Sequence, residues 1–216
     1  LEVHKEEFET SSFWKKNAHL LLVFYLHDRD LDLLDYIIKL VDDWQYPNED
    51  LKIIKRDWEF INQKIKDGKA HELSEGDTFY LGACTKGSTA LKSFRNQPFN
   101  DEQAKQRAYS LKQGYVNHII ANIAQEETAV YGKIIEQPEI LDKVRSIEEI
   151  VILKFHPFYG KSAEQIEKEL GLDLNQKAKS YFANLTNVIL GLELGQKIEE
   201  FEKADIQVKT IRLKEN

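Results

Sequence analysis

Asp50 to Lys66 (DLKIIKRDWEFINQKIK) sets Leu51, Ile54, Trp58, Ile61 and Ile65 three or four residues apart. A helix puts side chains at that spacing on one face, so the stretch predicts an amphipathic helix that must bury a stripe against another layer. Asn48 or Glu49, after Pro47, stands where a cap belongs, and Gly68 stands where the chain must turn out of the helix. Around it lie strand patterns. Ala18 to His27 is an apolar run that reads as a buried central strand, Asp35 to Asp42 as a second strand, and Thr78 to Gly82 as a third. Asp101 to Gln125 then reads as a helix, with Ala104, Ala108, Leu111, Tyr115, Ile119 and Ile120 at helical spacing. Mixed order of this kind predicts an α/β (α+β) domain over residues 1–125.

Beyond residue 125 the pattern changes. Ser146 to Phe155 reads as a capped helix stopping at His156-Pro157, and Ser162 with Gln165 forms a capping box for a helix ending at Gly171. Asn175 to Leu190 reads as a further amphipathic helix. No strand is expected between Ala129 and Lys203, so 126–203 is predicted to be all-helical. Asp205 to Leu213 alternates polar and apolar residues and reads as a strand opening a further domain over 204–216. The pair 162–190 has the outline of a helix-turn-helix, with Asn175, Gln176, Lys177, Lys179 and Ser180 as its readers of DNA; a plain helical hairpin has the same outline.

Charge singles out one window. The chain carries a net charge of −7, yet Leu81 to Tyr115 holds Lys86, Lys92, Arg95, Lys105, Arg107 and Lys112 against only Asp101 and Glu102. Thr85, Ser88, Thr89, Asn96, Gln97 and Gln106 interleave with the cations, and Gly82 and Gly87 let the backbone approach a partner. Cations mixed with amides and hydroxyls fit nucleic-acid phosphate and base edges. A solvated basic surface, or one that meets another protein, shares the same composition.

Other chemistry is sparse. The six histidines show no metal-binding spacing, and His71 reads as a loop residue. Cys84, the single cysteine, rules out an internal disulfide and favours a reducing compartment. The apolar run Leu20 to Leu26 is too short to span a bilayer. Holding Mg2+ for phosphodiester cleavage takes carboxylates and a lysine on a strand edge. Asp43…Asp50-Leu-Lys52 has that spacing, but Asp50 falls in the predicted helix; Glu200…Gln207-Val-Lys209 offers an amide where a carboxylate is needed.

The segments ETSSFWKKNAHLLLVFY, RDWEFINQKIKDGKAHELSEGDTFYLG, CTKGSTALKSFRNQPF and KQRAYSLKQGY resemble the GATC-cutting, MutH-like type II restriction endonucleases, in their two-domain form. The resemblance covers residues 8–125 closely and the rest more loosely. It implies a PD-(D/E)xK nuclease core, a double-stranded GATC substrate, Mg2+ as cofactor and a cytoplasmic restriction-modification role. It implies that Lys16 (or Lys15) supports the active site. It implies DNA contacts from Thr85, Lys86, Gly87 and Ser88, joined by Arg95, Ser110 and Lys112. Ser110 falls where MutH carries a tyrosine that senses adenine methylation, so cleavage indifferent to methylation is implied. The family's metal-binding Asp…Glu-x-Lys motif falls before Leu1. The chain, which lacks methionine, is thus expected to be an inactive piece of a longer enzyme, with no metal ligands of its own and an apolar edge exposed. Residues 126–203 become a connector, and Gln207 to Thr210 the start of a degenerate second domain through which a dimer could form on DNA.

Overall fold

A computed structural model describes residues 3–87, 89, 93–124, 130–136, 140–141, 143–144 and 146–211. It divides into two compact units, Leu1–Glu126 and Glu127–Asn216.

The first unit is mixed α/β and is built on the helix that opened the sequence reading. This helix, α2, spans Asn48–Lys66. Pro47 occupies its cap and offers no side-chain hydrogen bond, so the polar cap expected from Asn48 or Glu49 is not formed. Its far end closes as expected: Gly68, at φ +71, donates to Ile65 O and Lys69 donates to Lys64 O. That is the pairing of a Schellman motif. The buried stripe is Asp50, Ile53, Ile54, Asp57, Trp58, Ile61 and Asn62. It is rotated from the apolar spacing because two acids lie in it.

Each acid has a partner. Tyr115, fully buried, donates its hydroxyl to Asp50 Oδ2 at 3.0 Å. Asp57 Oδ2 accepts the backbone N–H of Phe79, Tyr80 and Leu81 at 3.0, 2.6 and 2.9 Å. These amides lead directly into strand β3, Leu81–Thr85. The helix therefore aims the strand through one side chain.

Ahead of α2, helix α1 (Ser12–Asn17) is capped by Ser11, which accepts from Trp14 N at 3.0 Å. Strands β1 (Leu20–Leu26) and β2 (Ile37–Trp44) follow and pair antiparallel. The run expected to be a buried central strand is not one. Leu20, Leu22 and Phe24 are half-buried, while Leu21, Val23 and Tyr25, with Ile38 and Val41 opposite, are exposed among the described residues. A two-stranded ladder has two faces, and here one of them is uncovered.

The predicted helix over Asp101–Gln125 is corrected most. Its first half is strand: β4 (Phe94–Gln97), β5 (Asn100–Lys105) and β6 (Arg107–Leu111) precede a shorter helix α3, Gln113–Ile123. Ala104, Ala108 and Leu111 are at helical spacing, but pairing with β4 and β3 overrides that local preference.

In the second unit α4 (Ile147–Phe155) and α5 (Ala163–Leu170) form as read, with the Ser162 capping box and Gly171 in the left-handed region. Two short strands that the sequence did not suggest, Tyr131–Gly132 and Lys197–Ile198, pair in parallel. Helix α6 is Tyr181–Ile189, not Asn175–Leu190. Asn175 instead turns back to accept from Lys177 N, and Gln176 donates to the buried Glu167. The strand expected from Asp205 does not form over 206–211; residues 212–213 lie outside the described residues. No helix among the described residues is long and apolar enough to cross a membrane.

Asp57→Ala strands three buried N–H groups and leaves a void. It is expected to cost about 3–5 kcal/mol, read as a lowered midpoint in urea unfolding. Burial is the main influence on this carboxyl and pushes it up to about 6 from an ordinary 3.8, against the lowering effect of the Leu81, Phe79 and Tyr80 amides. Its folded value exceeds its unfolded one, so its contribution to stability is full below about pH 4 and declines as pH rises through about 6. Asp57→Asn keeps an acceptor for the amides and is expected to flatten that part of the pH–stability curve.

Candidate nucleic-acid interface

Between Leu81 and Leu111 two antiparallel ladders join into one ribbon. At its base β3 pairs with β6 from Leu81↔Leu111 to Thr85↔Arg107. At its tip β4 pairs with β5, turning at Pro98-Phe99. Between them a single residue, Gln106, joins both halves. Its carbonyl accepts Lys86 N–H at 2.8 Å, and its own N–H donates to Ser93 O at 2.5 Å. Gln106 thus holds Lys86 on one side and Ser93 on the other, and Gly87 and Ser93 form a neck beside it. Gly87 has φ +131, and a Cβ there would lie 2.9 Å from Ser93 Cβ. Only glycine suits that backbone and that gap.

Both ends of the ribbon are tied down. The Asp57 carboxylate holds the base. At the tip the Gln97 amide accepts Ala70 N–H at 3.0 Å and donates to Glu102 O at 2.7 Å. These two bonds fix which end of the amide is nitrogen, and that nitrogen also lies 3.0 Å from His71 Nδ1. The ring therefore accepts at Nδ1, which leaves its proton on Nε2, 3.4 Å from Glu102. Asn100 donates to Gly68 O at 2.9 Å, and the Phe99 ring meets His4 edge-on at 5.3 Å. His71 is thus part of the tip's docking.

The predicted contact residues fall into different settings. Lys86 follows β3 and is exposed, Thr85 is exposed at the strand end, and Arg95 is exposed on β4 with Nη1 donating to Phe94 O. Ser88 lies outside the described residues, as does Lys92. Ser110 is half-buried on β6, opposite Gly82. Lys112 caps α3, and its ammonium donates to Thr78 O. Neither lies on the helix expected to carry them. Arg107 is turned inward, donating to Ala83 O at 2.6 Å and to Leu73 O. The window's positive charge is therefore divided between cations that hold the protein together and cations, Lys86 and Lys105, that face solvent.

Lys15 and Lys16 are exposed in the last turn of α1. That helix is seated by its aromatic residues, with Phe13 5.4 Å from Tyr109 of β6 and Trp14 6.2 Å from Tyr46. Tyr109 also stacks on Trp58 at 6.1 Å, which joins α1, α2 and β6 in one aromatic layer. Burial raises the Tyr109 hydroxyl well above the ordinary tyrosine range.

The carboxylates do not assemble a metal site. Among the described residues no group of three or more His, Cys, Asp or Glu stands ready to hold an ion. Asp50 is bound to Tyr115, Asp43 lies 2.6 Å from His19, and Glu200 accepts Ile134 N and Ile135 N. The residues singled out by spacing do not fit Mg2+. Asn175, Gln176, Lys177, Lys179 and Ser180 precede α6 rather than forming its first turns, so they present no recognition helix. The sequence reading passed over Asp57, which lies in RDWEF without an assigned task, and took Gln97 for a group facing DNA, whereas its amide docks the ribbon's tip.

Replacing Gly87 by alanine should open the neck while leaving the rest of the unit folded. Amide exchange at Lys86 and Gln106 is expected to rise about tenfold or more, with exchange at Leu81 unchanged.

Residues 1–57 match the family described as DNA mismatch repair enzyme MutH. Over 219 aligned residues the chain is 40% identical to the type II restriction enzyme Sau3AI of Staphylococcus aureus. The alignment takes in 97% of this chain and 44% of that enzyme, so the chain spans less than half the length of this relative.

Proposed function

From a chain similar to MutH in its first 57 residues and to a type II restriction enzyme along almost all of its length, we propose a DNA-holding part of a restriction endonuclease acting at double-stranded GATC. The observation that carries this reading is the ribbon: a segment tied at both ends that presents Lys86, Thr85 and the Gly87 neck to solvent. Phosphate contacts need cations not already spent on internal carbonyls, and Lys86 and Lys105 lie exposed along one ribbon. Gly87 lets the backbone come close to a duplex, and Ser88, next in sequence, is assigned a contact beside it.

The catalytic metal is Mg2+ in this reading. Among the described residues no cluster of carboxylates stands ready for it; its ligands are assigned to another part of a longer, cytoplasmic enzyme, and this chain alone holds DNA without cutting it. Lys16 and Lys15, exposed on α1, are the cations available to support that site. Residues 126–203 serve as a connector toward a further DNA-binding domain, through which two copies meet on DNA. Ser110 is shorter than tyrosine and half-buried beside Gly82, so it makes no aromatic contact with an adenine methyl group. Cleavage is therefore indifferent to adenine methylation.

Plasmid cleavage by the whole enzyme tests this. Lys86→Ala is expected to slow cutting at GATC about 10–100-fold without moving the melting temperature. Unmethylated and fully adenine-methylated GATC duplexes should be cut at comparable rates. Full activity in Lys86→Ala would overturn the assignment of the ribbon, and cutting confined to unmethylated DNA would overturn the role given to Ser110.

A further inference from the structure

Resting on the reading of the ribbon as a DNA-binding element, we propose that Gln106 reads a base edge and helps set sequence preference, while its neighbours Lys86 and Lys105 hold phosphate. The inference starts from strand alternation. Ala104 is buried in the cluster with Ile61, Ala70, Leu73 and Ala83, and Tyr109 packs against the same cluster. These two positions are five apart, so an unbroken strand would turn them to opposite faces. Arg107 also turns inward, to Ala83 O and Leu73 O. The alternation is reset between Ala104 and Arg107, where Lys105 and Gln106 are both exposed.

Two consecutive exposed residues interrupt the alternation where the strand passes from one partner ladder to the next, and irregularities of this kind beside functional surfaces re-aim a side chain. Here the irregularity lies across from the neck formed by Gly87 and Ser93. The main chain of Gln106 is fully used, by Lys86 N–H on one side and Ser93 O on the other. Its position is therefore set by the two sides of the neck. Its side-chain amide, by contrast, makes no hydrogen bond to the protein among the described residues.

The chemistry fits a base rather than a phosphate. A carboxamide carries a donor and an acceptor side by side, complementary to the N6 and N7 edge of adenine. A lysine ammonium offers donors only and suits phosphate oxygens. The junction thus sets one discriminating group between two non-discriminating ones, within a ribbon narrow enough for a major groove.

The test is fluorescence anisotropy on the full-length protein without Mg2+. Three short duplexes serve as probes: one with GATC, one with the site shuffled, and one with 7-deazaadenine in the site. Gln106→Ala should lose about tenfold of the preference for GATC over the shuffled duplex, with an unchanged salt slope. The deaza substitution should weaken wild type by a similar factor and Gln106→Ala hardly at all. Lys105→Ala should weaken both natural duplexes equally and reduce the salt slope by about one. Retained preference and a retained deaza effect in Gln106→Ala would overturn the proposal and leave the DNA-binding reading intact. Wild type that does not prefer GATC to the shuffled site would overturn that reading as well. Gln106→Glu, which keeps the shape but loses the donor and adds a negative charge, should lose the preference as the alanine variant does and also weaken binding to both natural duplexes.

Discussion

The Asp57 carboxylate is the interaction from which the rest of the first unit follows. It sits in the buried stripe of α2 and collects the N–H groups of three consecutive residues, Phe79, Tyr80 and Leu81. Three amides in a row have no sheet partner at that point, so without an acceptor they would be buried and unsatisfied. The carboxylate answers that need, and in doing so sets where β3 begins and which way it runs. It does so at a cost, because an acid this deep resists ionisation. The same device recurs in the second unit, where Glu200 accepts Ile134 N and Ile135 N. There too a buried acid fixes a stretch of chain that lacks a ladder of its own.

From that anchor the ribbon runs to a second one. Gln97 and Asn100 dock its tip on the turn that ends α2, so helix α2 supports both ends of the same ribbon. What lies between can depart from regular pairing without loosening the whole. The close neck, the irregular junction at Gln106 and the glycine at positive φ are each unfavourable in isolation. They persist because the flanking geometry leaves them no alternative. The cations divide accordingly. Arg107 and Lys112 are spent on carbonyls that the irregular chain leaves over, and Lys86 and Lys105 remain for a partner.

Local features of this architecture were legible in the sequence. The span of α2, its Gly68 exit, the Ser162 capping box and the Gly171 exit all depend on residues within a few positions of each other. The ribbon was not legible as a ribbon. Its pairing joins residues such as Leu81 and Leu111, and nothing near Ala104 announces that distant partner. Alanines and a leucine three and four apart satisfy a helical pattern equally well. Asp57 was hidden for a related reason, since an acid on an amphipathic helix is ordinarily read as part of its wet face. Charge pointed to the right window, but counting it could not separate Arg107, turned inward, from Lys86, turned out. The apolar run Leu20–Leu26 was read correctly as a strand and wrongly as fully covered, because periodicity reports the strand and not its neighbours.

The junction at Gln106 has a further consequence, for the order in which the chain assembles. A one-residue slip in a strand exchanges its two faces. The junction divides the ribbon into two ladders that must each find register. The tip ladder closes around a two-residue turn and can form early, since its partners are near in sequence. The base ladder joins residues about thirty apart at its far end and closes a longer loop, so it forms late. Its register is checked by the fit of three amides to one carboxylate. A chain that zips from the Pro98-Phe99 turn toward Asp57 therefore passes the Gln106 junction midway and ends where the Asp57 carboxylate receives its three amides.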